Sequence, residues 1–131
     1  MPPVTILYVE DDPLVLHTIK ETLELEDWQV ETCTDGLTAL ARLAGATHYD
    51  LLLLDHELPG ASGLDIVRRA RNLCHRQRVP VIILSAGDYA LAALRAGADE
   101  FLRKPDGVGC LVETIRRLLA RGRGGVESVY V

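Results

Sequence analysis

Residues 51–63 read L-L-L-L-D-H-E-L-P-G-A-S-G. The four leucines, Leu51 to Leu54, show no polar alternation, so a strand built from them is covered on both faces, as in a parallel sheet with helices above and below. The run ends on an acid, Asp55, and Ser62 is placed to cap a helix through Leu64, Ile66, Val67 and Ala70. Outward from this stretch, apolar runs recur from Ile6 to Val9 and from Val81 to Leu84, and more weakly at Phe101 and Leu102; Val30 and Thr32 mark one further strand. Helical spacing fills the intervals. Val15, Leu16, Ile19 and Leu23 follow an Asp12 cap with Pro13 in the first turn, and Leu37, Leu40, Ala41 and Ala44 lie between an Asp35 cap and Gly45. A last helix carries Cys110, Leu111, Ile115, Leu118 and Leu119 on one face, with Arg116, Arg117 and Arg121 outside, and ends near Gly122. Five alternating βα units predict an α/β fold: an open, doubly wound, five-stranded parallel sheet with helices on both faces.

At 131 residues, with 48% hydrophobic and 25% charged side chains, the chain has the composition of one globular domain. Residues 1–121 are read as that domain, and 122–131, which begin with Gly-Arg-Gly-Gly, as a flexible tail or the start of a linker. A net charge of -5 offers no basic field for polyanions, so direct nucleic-acid binding is not expected. Cys33, Cys74 and Cys110 are odd in number and contain no C-x-x-C pair, which argues against a disulfide framework or a zinc site. They read as small core residues in a reducing compartment. No apolar run approaches the ~18 residues of a membrane span, no membrane association is expected, and the expected location is cytoplasmic.

In doubly wound sheets ligands bind beyond the carboxyl ends of the strands. The residues there are Glu10, Asp11 and Asp12 after the first strand, Asp55 after the third, Ser85 after the fourth and Lys104 after the fifth. Converging carboxylates raise one another's pKa values unless a cation occupies the cluster. Mg²⁺, which takes hard oxygen ligands and leaves positions for phosphate oxygens, suits it. Lys104 and Ser85 would stabilise the oxygens of a transferring phosphoryl group, leaving Asp55 as nucleophile and an aspartyl phosphate as product.

Four motifs stand in order: V-E-D-D-P from Val9 to Pro13, the Leu51 to Gly63 stretch, V-I-I-L-S-A from Val81 to Ala86, and G-A-D-E-F-L-R-K-P from Gly97 to Pro105. On these the chain resembles the receiver domain of bacterial two-component response regulators, of the chemotaxis-regulator-like kind, over about Thr5 to Arg121. The resemblance implies a flavodoxin-like sheet and assigns roles by motif. Asp55 is the phosphoacceptor, Asp11 a direct Mg²⁺ ligand, Glu10 its partner acting mainly through water, and the Glu57 carbonyl completes the protein's share of the metal shell. Asp12 is the third acid and not a ligand. A cis bond is implied between Lys104 and Pro105, as is a switch made of Ser85 and Phe101, where Phe101 lacks the hydroxyl of the family's common tyrosine. From Ser85 to Lys104 the chain is a few residues shorter than the family pattern, so the fourth helix is expected to be short, anchored mainly by Leu91 and Leu94. The implied function is a phosphoacceptor signalling domain, not an enzyme apart from Mg²⁺-dependent self-phosphorylation and autodephosphorylation. Its implied partners are a sensor histidine kinase or histidine phosphotransfer protein and a downstream effector protein or domain, with a phosphorylation-dependent dimer open to it.

Two other readings compete. A phosphohydrolase of the haloacid dehalogenase type also uses an aspartate after an apolar strand, but its D-x-D-G-T pattern differs from Asp55, His56, Glu57, Leu58, Pro59. A pseudo-receiver that docks without chemistry has no need of the complete set of acids, Ser85 and Lys104. Glu57 and Gly87 flank the path of a water attacking the phosphoryl group, where Glu57 could orient that water or repel it. His56 reads as a local packing residue, Trp28 likewise, and His17, His48 and His75 lack ligand spacing.

Overall fold

The computed structural model describes residues 3–123. In chain order the elements are β1 (Thr5–Val9), α1 (Pro13–Glu24), β2 (Gln29–Cys33), α2 (Gly36–Ala44), β3 (Leu51–Asp55), α3 (Gly63–Arg71), β4 (Val81–Ser85), α4 (Ala90–Ala96), β5 (Glu100–Arg103), a 3-10 turn (Asp106–Cys110) and α5 (Leu111–Arg123). The five strands form one parallel sheet in the order β2-β1-β3-β4-β5. α5 continues through Gly122 to Arg123, and the rest of the expected tail, 124–131, lies outside the described residues.

Alternate residues of the central strands feed two separate cores, which is why the runs carry no polar position. Leu7, Val9, Leu52, Leu54, Val81 and Ile83 pack on Ala39 and Leu43 of α2, Leu64, Val67 and Ala70 of α3, and Ala93 of α4. Ile6, Tyr8, Leu51, Leu53, Ile82 and Leu84 pack on Ile19 and Leu23 of α1 and on Leu111, Ile115 and Leu118 of α5, with Trp28 and Val30 at the margin.

Local signals set the helix starts. Asp12 accepts from the Leu14 and Val15 amides, Asp35 accepts from the Thr38 amide, and Ser62 and Asp65 form a reciprocal capping box. Gly36 and Gly63 hold the β3–α3 loop close. A Cβ on Gly63 would meet the Asp55 carbonyl oxygen at 2.6 Å, and one on Gly36 the Ala61 carbonyl oxygen at 2.0 Å. These contacts press the loop that follows Asp55 onto the sheet and turn the Gly36, Ala39, Leu43 side of α2 inward. The expected stripe is thereby corrected: Leu37, Ala41 and Ala44 are exposed, and only Leu40 of that set packs on the core.

α4 has the expected short length of seven residues and no side-chain cap. Its anchors differ from expectation, since Leu91 and Leu94 are 61% and 52% exposed and Ala93 is the buried residue. An alanine lets the helix lie flat on the sheet and turns the leucines to solvent. Of the cysteines only Cys33 is in the core; Cys74 and Cys110 are exposed. Cys74 lies in the α3–β4 connection, and Cys110 belongs to the 3-10 turn and not to the inner face of α5.

Arg76 is a buried cation without a carboxylate partner among the described residues. Its guanidinium donates to the Leu43 carbonyl at 3.1 Å and the Gly45 carbonyl at 3.0 Å, capping the end of α2, and lies 4.8 Å from the centroid of the buried Tyr49 ring. Arg76→Ala would take the charged donor from those carbonyls, leaving them the His75 ring alone, and empty the stack, at an expected cost of about 3 kcal/mol. Thermal denaturation should read this as a fall of roughly 10 °C in Tm; an unchanged Tm would mean that water replaces the guanidinium without loss.

Candidate functional site

The carboxyl ends of β1, β3, β4 and β5 lie on one edge of the sheet, and the strand order changes direction between β1 and β3, where doubly wound sheets open a crevice. Glu10 follows β1, Asp55 closes β3, Ser85 closes β4 and Lys104 follows β5. The structure brings these residues together. One ligand oxygen from each of Glu10, Asp11 and Asp55 lies within 4.8 Å of the others. Glu10 and Asp55 are buried, whereas Asp11 is exposed at the mouth. Asp12 caps α1, accepting from the Leu14 and Val15 amides.

Lys104 reaches back over the sheet, its Nζ 2.7 Å from Glu10 Oε1 and 3.5 Å from Asp55 Oδ2. The Lys104–Pro105 peptide is cis, as the resemblance implied. Burial, the neighbouring Glu10 carboxylate and the charge of Glu57 push the Asp55 carboxyl up to about 7, against the opposing pull of Lys104. Burial lowers the Lys104 pKa, but the hydrogen bond to Glu10 and the charges of Asp55 and Glu10 outweigh it, so the ammonium is held more firmly than usual.

The three acids fit a divalent cation. They are hard oxygen donors crowded on one spot, a single lysine stands against them, and burial together with the Glu10 carboxylate makes Asp55 resist ionisation.

Two partners escaped the sequence reading. Tyr8 lies buried beneath the cluster with its hydroxyl 3.4 Å from Glu10 Oε1; the available signal was a tyrosine in the apolar run from Ile6 to Val9, two residues before Glu10 and on the same face. The second is the pairing of the Glu57 side chain with Ser85, since the sequence placed that side chain only beside the path of an attacking water. Ser85, fully buried, donates its hydroxyl to the Glu57 carboxylate at 2.7 Å (Oε2) and 3.0 Å (Oε1) and accepts the Gly87 amide at 3.0 Å. The Glu57 amide in turn points at Asp55 Oδ1, 3.4 Å away. Phe101 sits on β5 beside Ile83, half-buried against the α2–α3–α4 core. His56 packs its ring on Tyr89 with centroids 4.1 Å apart, while His48 bonds to Asp50 and His75 to the Leu43 and Gly45 carbonyls.

Residues 6–116 match the profile of the response regulator receiver domain. The chain belongs to that family. Among curated relatives of this receiver, a response regulator protein of Pseudomonas aeruginosa, PmrA, is 42% identical over 123 residues, covering 91% of this chain and 54% of the relative. A probable transcriptional regulatory protein of Mycobacterium tuberculosis, TcrX, is 35% identical over 130 residues, covering 97% of this chain and 53% of that protein. The receiver chain thus spans about half the length of the curated relatives it matches. Its fold is that of a CheY-like receiver domain protein of Methanospirillum hungatei, at a TM-score of 0.87 and 28% identity over 95% of this chain and 99% of that one. It is also that of the receiver domain of the sensor histidine kinase PA1611 of Pseudomonas aeruginosa, solved with a magnesium ion coordinated in its active-site cleft; there the TM-score is 0.83 and the identity 29%, over 91% of this chain and 99% of that one. The receiver family and the flavodoxin-like five-stranded fold are as the sequence implied. Among the described residues, no helix is long and apolar enough to cross a membrane.

Proposed function

We propose that this receiver accepts a phosphoryl group on Asp55 from a phosphohistidine of a sensor histidine kinase or a histidine phosphotransfer protein, and that the aspartyl phosphate changes the surface it offers to an effector protein or domain. The observation that carries this reading is the convergence, from three separate strand ends, of a buried carboxylate, two further acids and a lysine. The roles follow from the positions. An Asp55 carboxylate oxygen attacks phosphorus, the oxygen–phosphorus bond forms as the phosphorus–nitrogen bond breaks, and the histidine nitrogen leaves with its electron pair. Lys104, already 3.5 Å from Asp55, neutralises charge on the phosphoryl oxygens, and the Ser85 hydroxyl donates to one of them once it is free to do so. Phe101 follows by filling the space that Ser85 and its loop vacate. Glu10, Asp11 and Asp55 would hold Mg²⁺ with the Glu57 carbonyl. Magnesium, when bound, supplies the positive charge that lets the acids ionise together and offsets charge on the phosphoryl group.

Self-phosphorylation from small phosphodonors and autodephosphorylation are the only turnover this reading gives the domain. The same reading makes 1–121, with the last turn of α5, the folded unit and the remaining C-terminal residues a tail or linker. It locates the protein in the cytoplasm, involves neither nucleic acid nor membrane directly, and leaves a phosphorylation-dependent dimer open. Intact mass after incubation with acetyl phosphate tests it: a single phosphoryl increment is expected with Mg²⁺ and none with excess chelator. Equal labelling in both would remove the metal from the reading, and no labelling in either would favour a pseudo-receiver.

A further inference from the structure

The Ser85 hydroxyl carries one proton and already spends it. It donates to Glu57 at 2.7 Å while its own lone pair takes the Gly87 amide at 3.0 Å. A hydroxyl bonded to a carboxylate is in the stronger class of hydrogen bonds, and Ser85 itself is shut off from water. While this bond stands, Ser85 has no proton for a phosphoryl oxygen at Asp55. Resting on the reading of Asp55 as phosphoacceptor, we infer that the Glu57 side chain is a positioning residue, a latch that holds Ser85 and the β4–α4 segment in the unphosphorylated arrangement and that the phosphoryl group must displace.

The surroundings support a latch. A phosphoryl group at Asp55 brings negative charge beside the Glu57 carboxylate and offers Ser85 a rival acceptor, so repulsion and competition act in the same direction. Besides this bond the segment is held by the Tyr89 ring on His56 and by a solvent-exposed Asp88–Arg103 ion pair. α4 is seven residues long, lacks a side-chain cap and buries only Ala93, so its position follows the loop that Ser85 and Gly87 anchor. A ligand shifts a two-state equilibrium only by its differential affinity, so a bond that exists in one state alone sets part of the cost of switching.

Beryllofluoride with Mg²⁺ serves as the probe. Glu57→Ala keeps the backbone carbonyl, and Glu57 is exposed, so the substitution leaves no cavity. The Ala variant should bind beryllofluoride about tenfold more tightly than the natural chain, the value of one charge-assisted hydrogen bond. Glu57→Gln, whose amide oxygen still accepts from Ser85 without the charge, should fall between them. In a Ser85→Ala background the gain should vanish, because no hydroxyl remains to be released. An unchanged affinity in Glu57→Ala, or an equal gain with Ser85 absent, overturns the latch, the second outcome showing that Glu57 acts by charge alone. Hydrogen exchange without beryllofluoride gives an independent arm: amides 87–91 should exchange faster in Glu57→Ala, and equal protection also overturns the latch. If the natural chain and every variant fail to bind beryllofluoride, the phosphoacceptor reading fails, and the exchange arm still decides the latch.

Discussion

Asp55→Asn, incubated with acetyl phosphate and Mg²⁺, is expected to keep its unmodified mass under conditions that label the natural chain. The substitution is nearly isosteric and keeps the Glu57 amide contact at Asp55 Oδ1, so the fold and the loop survive while the nucleophile is lost. Neighbouring acids are poor replacements. Glu10 has its oxygens engaged by Lys104 at 2.7 Å, by Tyr8 at 3.4 Å and by the Asp12 amide at 3.2 Å, and Asp11 is exposed at the mouth. Asp55 is the carboxylate whose basicity burial and Glu10 have raised to about 7, and a more basic oxygen is the better nucleophile once ionised. Persistent, Mg²⁺-dependent labelling of Asp55→Asn would move the phosphoacceptor elsewhere. A phosphohydrolase is separated by a second measurement, turnover of exchanged small phosphate esters, which this reading expects to stay at background.

What the chain shows before folding is the sheet and its active edge. β3 and β4 are unbroken apolar runs because alternate residues face two different cores, and their abrupt ends put Asp55 and Ser85 at the edge of the sheet that carries the site. β5 read weakly for a physical reason: it is an edge strand whose ends, Glu100 and Arg103, meet solvent and ion-pair partners on α5 and the β4–α4 loop. Helix faces were less legible. The inward side of α2 depends on Gly36 touching the Ala61 backbone, a contact between segments that periodicity cannot see, and α4 docks through a small residue that hydropathy passes over in favour of two leucines.

At the site, residue types and positions were readable because the strand ends fix them, but side-chain pairings were not. The Lys104–Glu10 contact joins residues 94 apart and the Ser85–Glu57 contact residues 28 apart. Both depend on which staggered rotamer a long side chain adopts among several of similar intrinsic energy. The motif places Glu57 two residues past Asp55 and so supplies its carbonyl; where its carboxylate goes is decided by the buried hydroxyl of Ser85, which has no other side-chain acceptor among the described residues.

The second large effect concerns stability without metal. The Asp55 carboxyl has a folded-state pKa of about 7, raised by burial and by Glu10, against an unfolded value of about 3.9. Between those values the folded chain holds a proton that the unfolded chain has lost, so this group's contribution to stability is full below about pH 4 and is lost as pH rises through about 7. The group is 4% exposed, and three units at ~1.4 kcal/mol each set an upper size of about 4 kcal/mol for the acid cluster as a whole. Asp35, held below the usual carboxylate range by the Thr38 amide and hydroxyl, titrates in the opposite sense, so total stability mixes the two. Comparing the natural chain with Asp55→Asn cancels Asp35 and isolates the cluster. In metal-free buffer the two should unfold at the same denaturant concentration near pH 4, and by pH 8 the Asn variant should be more stable by about 2–4 kcal/mol. Millimolar Mg²⁺ should close the gap from the other side, raising the natural chain more than the variant because only the natural chain presents all three carboxylates to the ion. A difference that stays flat with pH, or Mg²⁺ that stabilises both proteins equally, would mean that Asp55 is ionised and solvated in the folded chain and that the acids do not act as one site.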